Sequence, residues 1–179
     1  MRIAAIALAV MALAGSAAVA QEPEHGSIDT LIQEAKAAYG MQKTFILGAA
    51  DAMPEADYSF KPTAEIRSYG ELFDHVAQAQ QMVCAMIAGK TPTPPAAGAA
   101  TKAAIVAELK ASFNTCDAAN ATVTATNALD VVGKGFFHGT RVGLMEKNAA
   151  HDNEMYGTMS VYLRLKGIVP PSTAARMKK

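Results

Sequence analysis

The side chains with the types and places to do chemistry are two histidines and two cysteines: His75, His151, Cys84 and Cys116. An imidazole can move a proton, hold a hydrogen bond or ligate a transition metal. His75 falls among Leu72, Val76, Ala79, Met82, Val83 and Met86, an apolar set at spacings of three and four. His151 falls on a second such stripe, Leu144, Asn148, His151, Met155, Met159 and Tyr162. Both histidines and Asn148 are therefore expected on buried helix faces, where each needs a partner to offset its desolvation. His138, at the end of the glycine-rich stretch 129–139, reads as an exposed loop histidine, and Phe136 and Phe137 beside it read as cover for one end of the fold. Ser160 falls off the buried stripe. There is no serine–histidine–acid set, phosphate loop or CxxC pair.

Four amphipathic helices must position these groups. The first begins at the N-cap Ser27, carries Ile28, Leu31, Ile32, Ala35, Tyr39, Ile46 and Ala49, and ends near Met53 before Pro54. The connection 54–67 holds two aromatics, Tyr58 and Phe60, expected to pin it over the end of the bundle. Ser68 and Glu71 form the capping box of the second helix, which Gly89 ends. The stretch 89–100 contains three prolines and two glycines and is a linker. Twelve extended residues reach about 40 Å, enough to run back along a helix of about 30 Å. Thr101 caps the third helix, whose stripe runs Ile105, Leu109, Ser112, Phe113, Cys116, Ala119 and Val123. The fourth runs from about Thr140 to Lys166, closed by Gly167 and stopped by Pro170 and Pro171.

The cysteines act as a ruler. Cys84 lies 16 residues beyond Ser68 and Cys116 lies 15 beyond Thr101. At about 1.5 Å of rise per residue the two are level only if the second and third helices run parallel. A disulfide needs its Cα atoms within about 7 Å, so a hairpin between these helices is incompatible with the bond. If the bond exists, the fold is an all-α four-helix bundle, up-down-down-up, with the linker between helices 2 and 3 as the long crossover. The alternative is two separate buried thiols.

At the N-terminus Arg2, the apolar run 3–14 and the sequence Ala18-Val19-Ala20 have the three parts of a cleaved secretory signal. The domain layout is then a signal peptide over 1–20 and a single domain over 21–179, periplasmic or secreted, with no membrane attachment after cleavage. Sixteen basic residues balance sixteen acidic ones without a basic cluster, which gives no electrostatic footprint for nucleic acid. A homodimer through one bundle face stays open.

The stretches YSFKPTAEIRSYGELFDHVAQAQ and HDNEMYGTMSVYLRLKGIVPP resemble the DinB-like superfamily, the ending YLRLKGIVPP in particular its exported branch. The resemblance covers nearly the whole chain after the leader. It implies an up-down-down-up bundle and a divalent metal held by one histidine of the second helix and two of the fourth, spaced four apart. Some members of the family are thiol transferases. Carried over, the ligands fall on His75 and His151, and the third position is Met155, where the pattern has histidine. Two histidines and a thioether suit zinc, nickel or manganese poorly; copper(I) accepts the thioether, and Glu71, Asp152 or water are candidates to complete a weakened nitrogen and oxygen site. No metal at all is the further alternative. The favoured reading is a non-catalytic binding or structural protein for an unknown small molecule, its degenerate metal site closed by Met155 and its histidines hydrogen-bonded to Asn148 or Tyr156. The competing reading is a metal-dependent transferase or hydrolase built on His75 and His151.

Overall fold

The computed structural model describes residues 26–93, 98 and 101–177. The signal expected over 1–20, and residues 94–97 and 99–100 of the expected crossover, lie outside the described residues. Over the described residues the chain is helical: α1 (Ile28–Ala52), α2 (Tyr69–Ile87), α3 (Lys102–Ala121), α4 (Arg141–Leu165) and a short α5 (Pro171–Met177). A two-residue antiparallel ladder, β1 (Val131–Val132) with β2 (Gly139–Thr140), pinches the loop before α4.

Local chemistry sets the ends of the helices. Ser27 and Thr30 form one capping box, Ser68 and Glu71 another, with the Glu71 carboxylate accepting from the Ser68 N–H at 2.5 Å. Thr101 and Thr140 accept from the N–H groups of Ala104 and Gly143. Each such cap contributes about 1 kcal/mol by satisfying an orphan donor. At the far end of α4, Gly167 has φ +73°, which lets the Ile168 N–H donate to Leu163 O and the Gly167 N–H to Arg164 O. This paired arrangement stops the helix and turns the chain into α5, which begins on Pro171 and packs it against Gly48 of α1.

The directions of the helices follow from which ends meet. The start of α2 meets the start of α3, where Gly70 abuts Ile105, and a disulfide joins Cys84 to Cys116 with Cα atoms 5.1 Å apart. The two helices therefore run parallel. The end of α1 lies against the start of α3, Lys102 donating to the carbonyls of Asp51 and Met53. The end of α2 lies against the start of α4, where the Arg141 guanidinium donates to Ile87 O. The bundle is up-down-down-up. The end where α1 and α4 finish and α2 and α3 begin is filled by aromatics: Tyr69 stands edge-on to Phe73 at 5.0 Å between ring centroids, and the hydroxyls of Tyr69, Tyr58 and Tyr162 donate to Ala49 O, Ala50 O and Arg67 O. Tyr58 is buried, and Phe60 sits edge-on to Tyr162, so the connection 54–67 is pinned as its aromatics imply.

Helix α4 departs from the expected stripe. Asp152 is 0 % exposed and Ser160 is buried, whereas the His151 side chain keeps 26 % of its surface. The helix packs on both α1 and α2, so its buried face centres on Asn148, Asp152, Met155, Met159 and Leu163, rotated toward Asp152 from the line through His151. His151 sits at the edge of that face.

Candidate functional site

Helices α2 and α4 run antiparallel, and His75 and His151 meet where they cross. Their Nε2 atoms are 3.2 Å apart, hydrogen-bond distance, with ring planes inclined at 65°. Both rings line a cleft of 660 Å³, walled by Ala79, Met82, Val83, Phe136 and Phe137, with Gln78, Asn148, Lys147 and Glu154 as its polar groups. Phe136 and Phe137 do not cap the bundle end as expected; they form one wall of the cleft. Their turn is bracketed by the β1–β2 ladder and held by Lys147, whose amine lies 3.6 Å from the Phe136 ring centroid and donates to Phe136 O. His138 is exposed, as its loop position implies.

Behind the histidines runs a buried polar chain. The Asp152 Oδ2 atom is 3.1 Å from Gln80 Nε2, and Gln80 Oε1 is 3.2 Å from the Ser112 hydroxyl, which also faces Leu109 O at 2.8 Å. The remaining carboxylate oxygen, Asp152 Oδ1, faces His151 Nδ1 at 3.8 Å, within ion-pair range and too long for a hydrogen bond; both atoms are buried without a hydrogen-bond partner among the described residues. Burial pushes the Asp152 carboxyl above the usual carboxylate range, against the opposing pull of His151 and Gln80. His75 is held below the usual imidazole range by its own burial, then by Arg67 and His151. A neutral His75 is what this environment favours at pH 7.

The expected ligand set is only half assembled. Two nitrogens on one tetrahedral ion with bonds of 2.0–2.1 Å would stand about 3.3 Å apart, so the Nε2 pair has the right separation for two ligands. The third position fails: Met155 is 9 % exposed in the core and is not among the cleft-lining residues. Glu71 is occupied by the Ser68 N–H and by Lys61 at 3.2 Å, and among the described residues no group of three or more His, Cys, Asp or Glu is placed to hold a metal ion. The donor set does not fit a three-ligand zinc, nickel or manganese site. Among the described residues the expected hydrogen bonds from the histidines to Asn148 or Tyr156 do not form: the histidines bond each other, and the Tyr156 hydroxyl accepts from the Ser172 N–H.

Sequence reasoning missed the roles of Gln80 and Ser112 and the burial of Asp152. The signal was the spacing: Asp152 lies four residues beyond Asn148, so a stripe that buries the asparagine also buries the aspartate.

Residues 44–159 match the family model of the DinB superfamily. A crystal structure of a DinB-like protein from Bacillus cereus ATCC 10987 superposes with a TM-score of 0.64, at 14% identity, over 81% of this chain and 96% of that one. No curated protein matches the sequence.

Proposed function

The chain belongs to the DinB superfamily, and from that premise we propose that it is a non-catalytic binding protein that takes an apolar small molecule into the cleft between α2 and α4. The observation that carries this reading is the His75–His151 pair, bonded to itself at 3.2 Å at the edge of an apolar cleft, with methionine in the third ligand position. Pockets for small molecules are mostly apolar and keep a few convergent polar groups, which is the composition of this one. The competing reading, a metal-dependent transferase or hydrolase, is favoured by one observation, the Nε2 separation, and lacks a third donor. Export is part of the proposal: a signal over 1–20 is removed, and the disulfide suits an oxidising compartment. Among the described residues no helix is long and apolar enough to cross a membrane.

The fluorescent probe N-phenyl-1-naphthylamine tests this directly. It should bind saturably with one site per chain, and Phe137→Ala should weaken it roughly tenfold, the loss of part of one aromatic contact. Absence of saturable binding, or a Phe137→Ala variant that binds as tightly as the wild type, would refute the reading.

A further inference from the structure

The hairpin that walls the cleft carries more apolar side chains than the fold uses. Val132 and Phe137 pack against the core, while their chain neighbours Val131 and Phe136 are turned to solvent. With Leu129, these two keep 61, 75 and, for the leucine, 59 % of their surface exposed. Single exposed apolar residues are ordinary, but three on one short hairpin concentrate apolar surface at one place. Cations stand beside it. Lys90, just past the end of α2, and Lys134, at the tip of the hairpin, line one hollow of 380 Å³ with Met86, Thr91 and Val132, and no acidic residue lines it. Both lysines are exposed, and neither forms an ion pair among the described residues. The one acid within residues 129–140, Asp130, is already met by Arg141 at 3.6 Å.

We propose that this hairpin docks the protein on an anionic phospholipid bilayer, and that the cleft takes its apolar ligand from that surface. Exposed aromatic and aliphatic side chains enter the boundary between headgroups and acyl chains, and neighbouring lysines meet the lipid phosphates. Charge selects this occupant over a second copy of the chain. Two copies docked face to face would set the same unpaired lysines against each other, whereas an anionic surface neutralises them. Such a contact is peripheral and needs no spanning helix. Its two lysines are far apart in sequence and are brought together by the fold, so composition shows no basic cluster. Phe136 belongs both to the exposed face and to the lining of the cleft, which puts the cleft at the docked edge of the protein. The loading step rests on the binding function proposed above, and the docking does not.

Cosedimentation of the protein purified from the periplasm with sucrose-loaded vesicles tests the docking. At low salt, binding to phosphatidylglycerol vesicles should be at least about tenfold tighter than to phosphatidylcholine vesicles, and it should fall at least about tenfold in about 0.5 M salt. Lys90→Ala/Lys134→Ala should weaken it about tenfold or more by removing two cations, and Leu129→Ser/Val131→Ser at least about fivefold by removing apolar contact. None of these four residues lines the cleft, so both double variants should bind N-phenyl-1-naphthylamine in vesicle-free solution as the wild type does, which separates a lost contact from a lost fold. No binding to phosphatidylglycerol vesicles at low salt, or binding that either double variant leaves intact, would overturn the proposal. Dimerisation in sedimentation equilibrium that Leu129→Ser/Val131→Ser abolishes, without vesicle binding, would overturn it in favour of a second copy. Uptake of the probe without vesicle binding would overturn this inference alone. Vesicle binding by a protein that takes up no probe would uphold the docking surface and overturn the binding function of the cleft.

Discussion

Reducing the Cys84–Cys116 bond should destabilise the bundle by an amount that the length of the closed loop sets. The two cysteines are 32 residues apart in sequence and both are fully buried. Chain entropy for a loop of that length gives about 3.7 kcal/mol at 25 °C. For a chain of this size 1 kcal/mol moves Tm by about 2–4 °C, so reduction should lower Tm by roughly 7–15 °C. Reduction leaves both sulfur atoms in place and isolates the loop term. The Cys84→Ala/Cys116→Ala double variant also removes the sulfurs and should fall further, because two small buried voids are added. Thermal unfolding followed by far-ultraviolet circular dichroism, with and without a phosphine reductant, measures both. A shift under about 3 °C, or two free thiols titrating in the unreduced, denatured protein, would refute the reasoning that the cysteines staple two parallel helices at one level.

The turn that carries the aromatic wall should tolerate substitution unequally. Gly133 has φ +75°, and a Cβ there would lie 2.0 Å from Phe137 O, whereas Gly135 has φ +55° and open space around it. Gly135→Ala should cost about 1–2 kcal/mol in backbone strain alone, while Gly133→Ala should distort the turn and abolish N-phenyl-1-naphthylamine binding; equal effects of the two on probe affinity would contradict this. The pH dependence of stability has a signed expectation at His75. Its pKa is lowered on folding from the ordinary 6.5, so the unfolded chain binds the proton more readily, and stability should fall as pH drops below about 6.5. Asp152, raised on folding, acts in the opposite sense at lower pH, where acidification relieves its burial. Urea unfolding at pH 7.5 and 5.5 should show a loss in the wild type that is smaller in His75→Gln; an identical loss in both would remove His75 as its source.

Much of the fold was legible in the sequence because local chemistry sets it. Ser27, Ser68, Thr101 and Thr140 stand one residue before the helices they cap, and Gly167 supplies the left-handed residue that ends α4. The two cysteines converted helix levels into relative direction. The meeting of His75 and His151 was legible only through the family resemblance, since periodicity places each on a face and does not say which faces touch. The burial of Asp152 was not legible because a helix gripped by two neighbours buries an arc wide enough to include both residues of an adjacent pair, and periodicity alone does not show how wide that arc is. Gln80 and Ser112 were unreadable for a related reason: a polar side chain on an apolar face declares itself structural only when its partner on another helix is known. The β1–β2 ladder and α5 are too short to leave a periodic signal.

The central claim is that the histidine pair is closed on itself and holds no metal. Elemental analysis of the protein purified from the periplasm of an expressing cell, beside the Met155→His variant, tests it most directly. The expected result is well under a tenth of an equivalent of any transition metal in the wild type, and about one equivalent of zinc gained by Met155→His as the third nitrogen donor is restored. Stoichiometric metal in the wild type that disappears in His151→Ala would contradict the claim and return the site to metal chemistry.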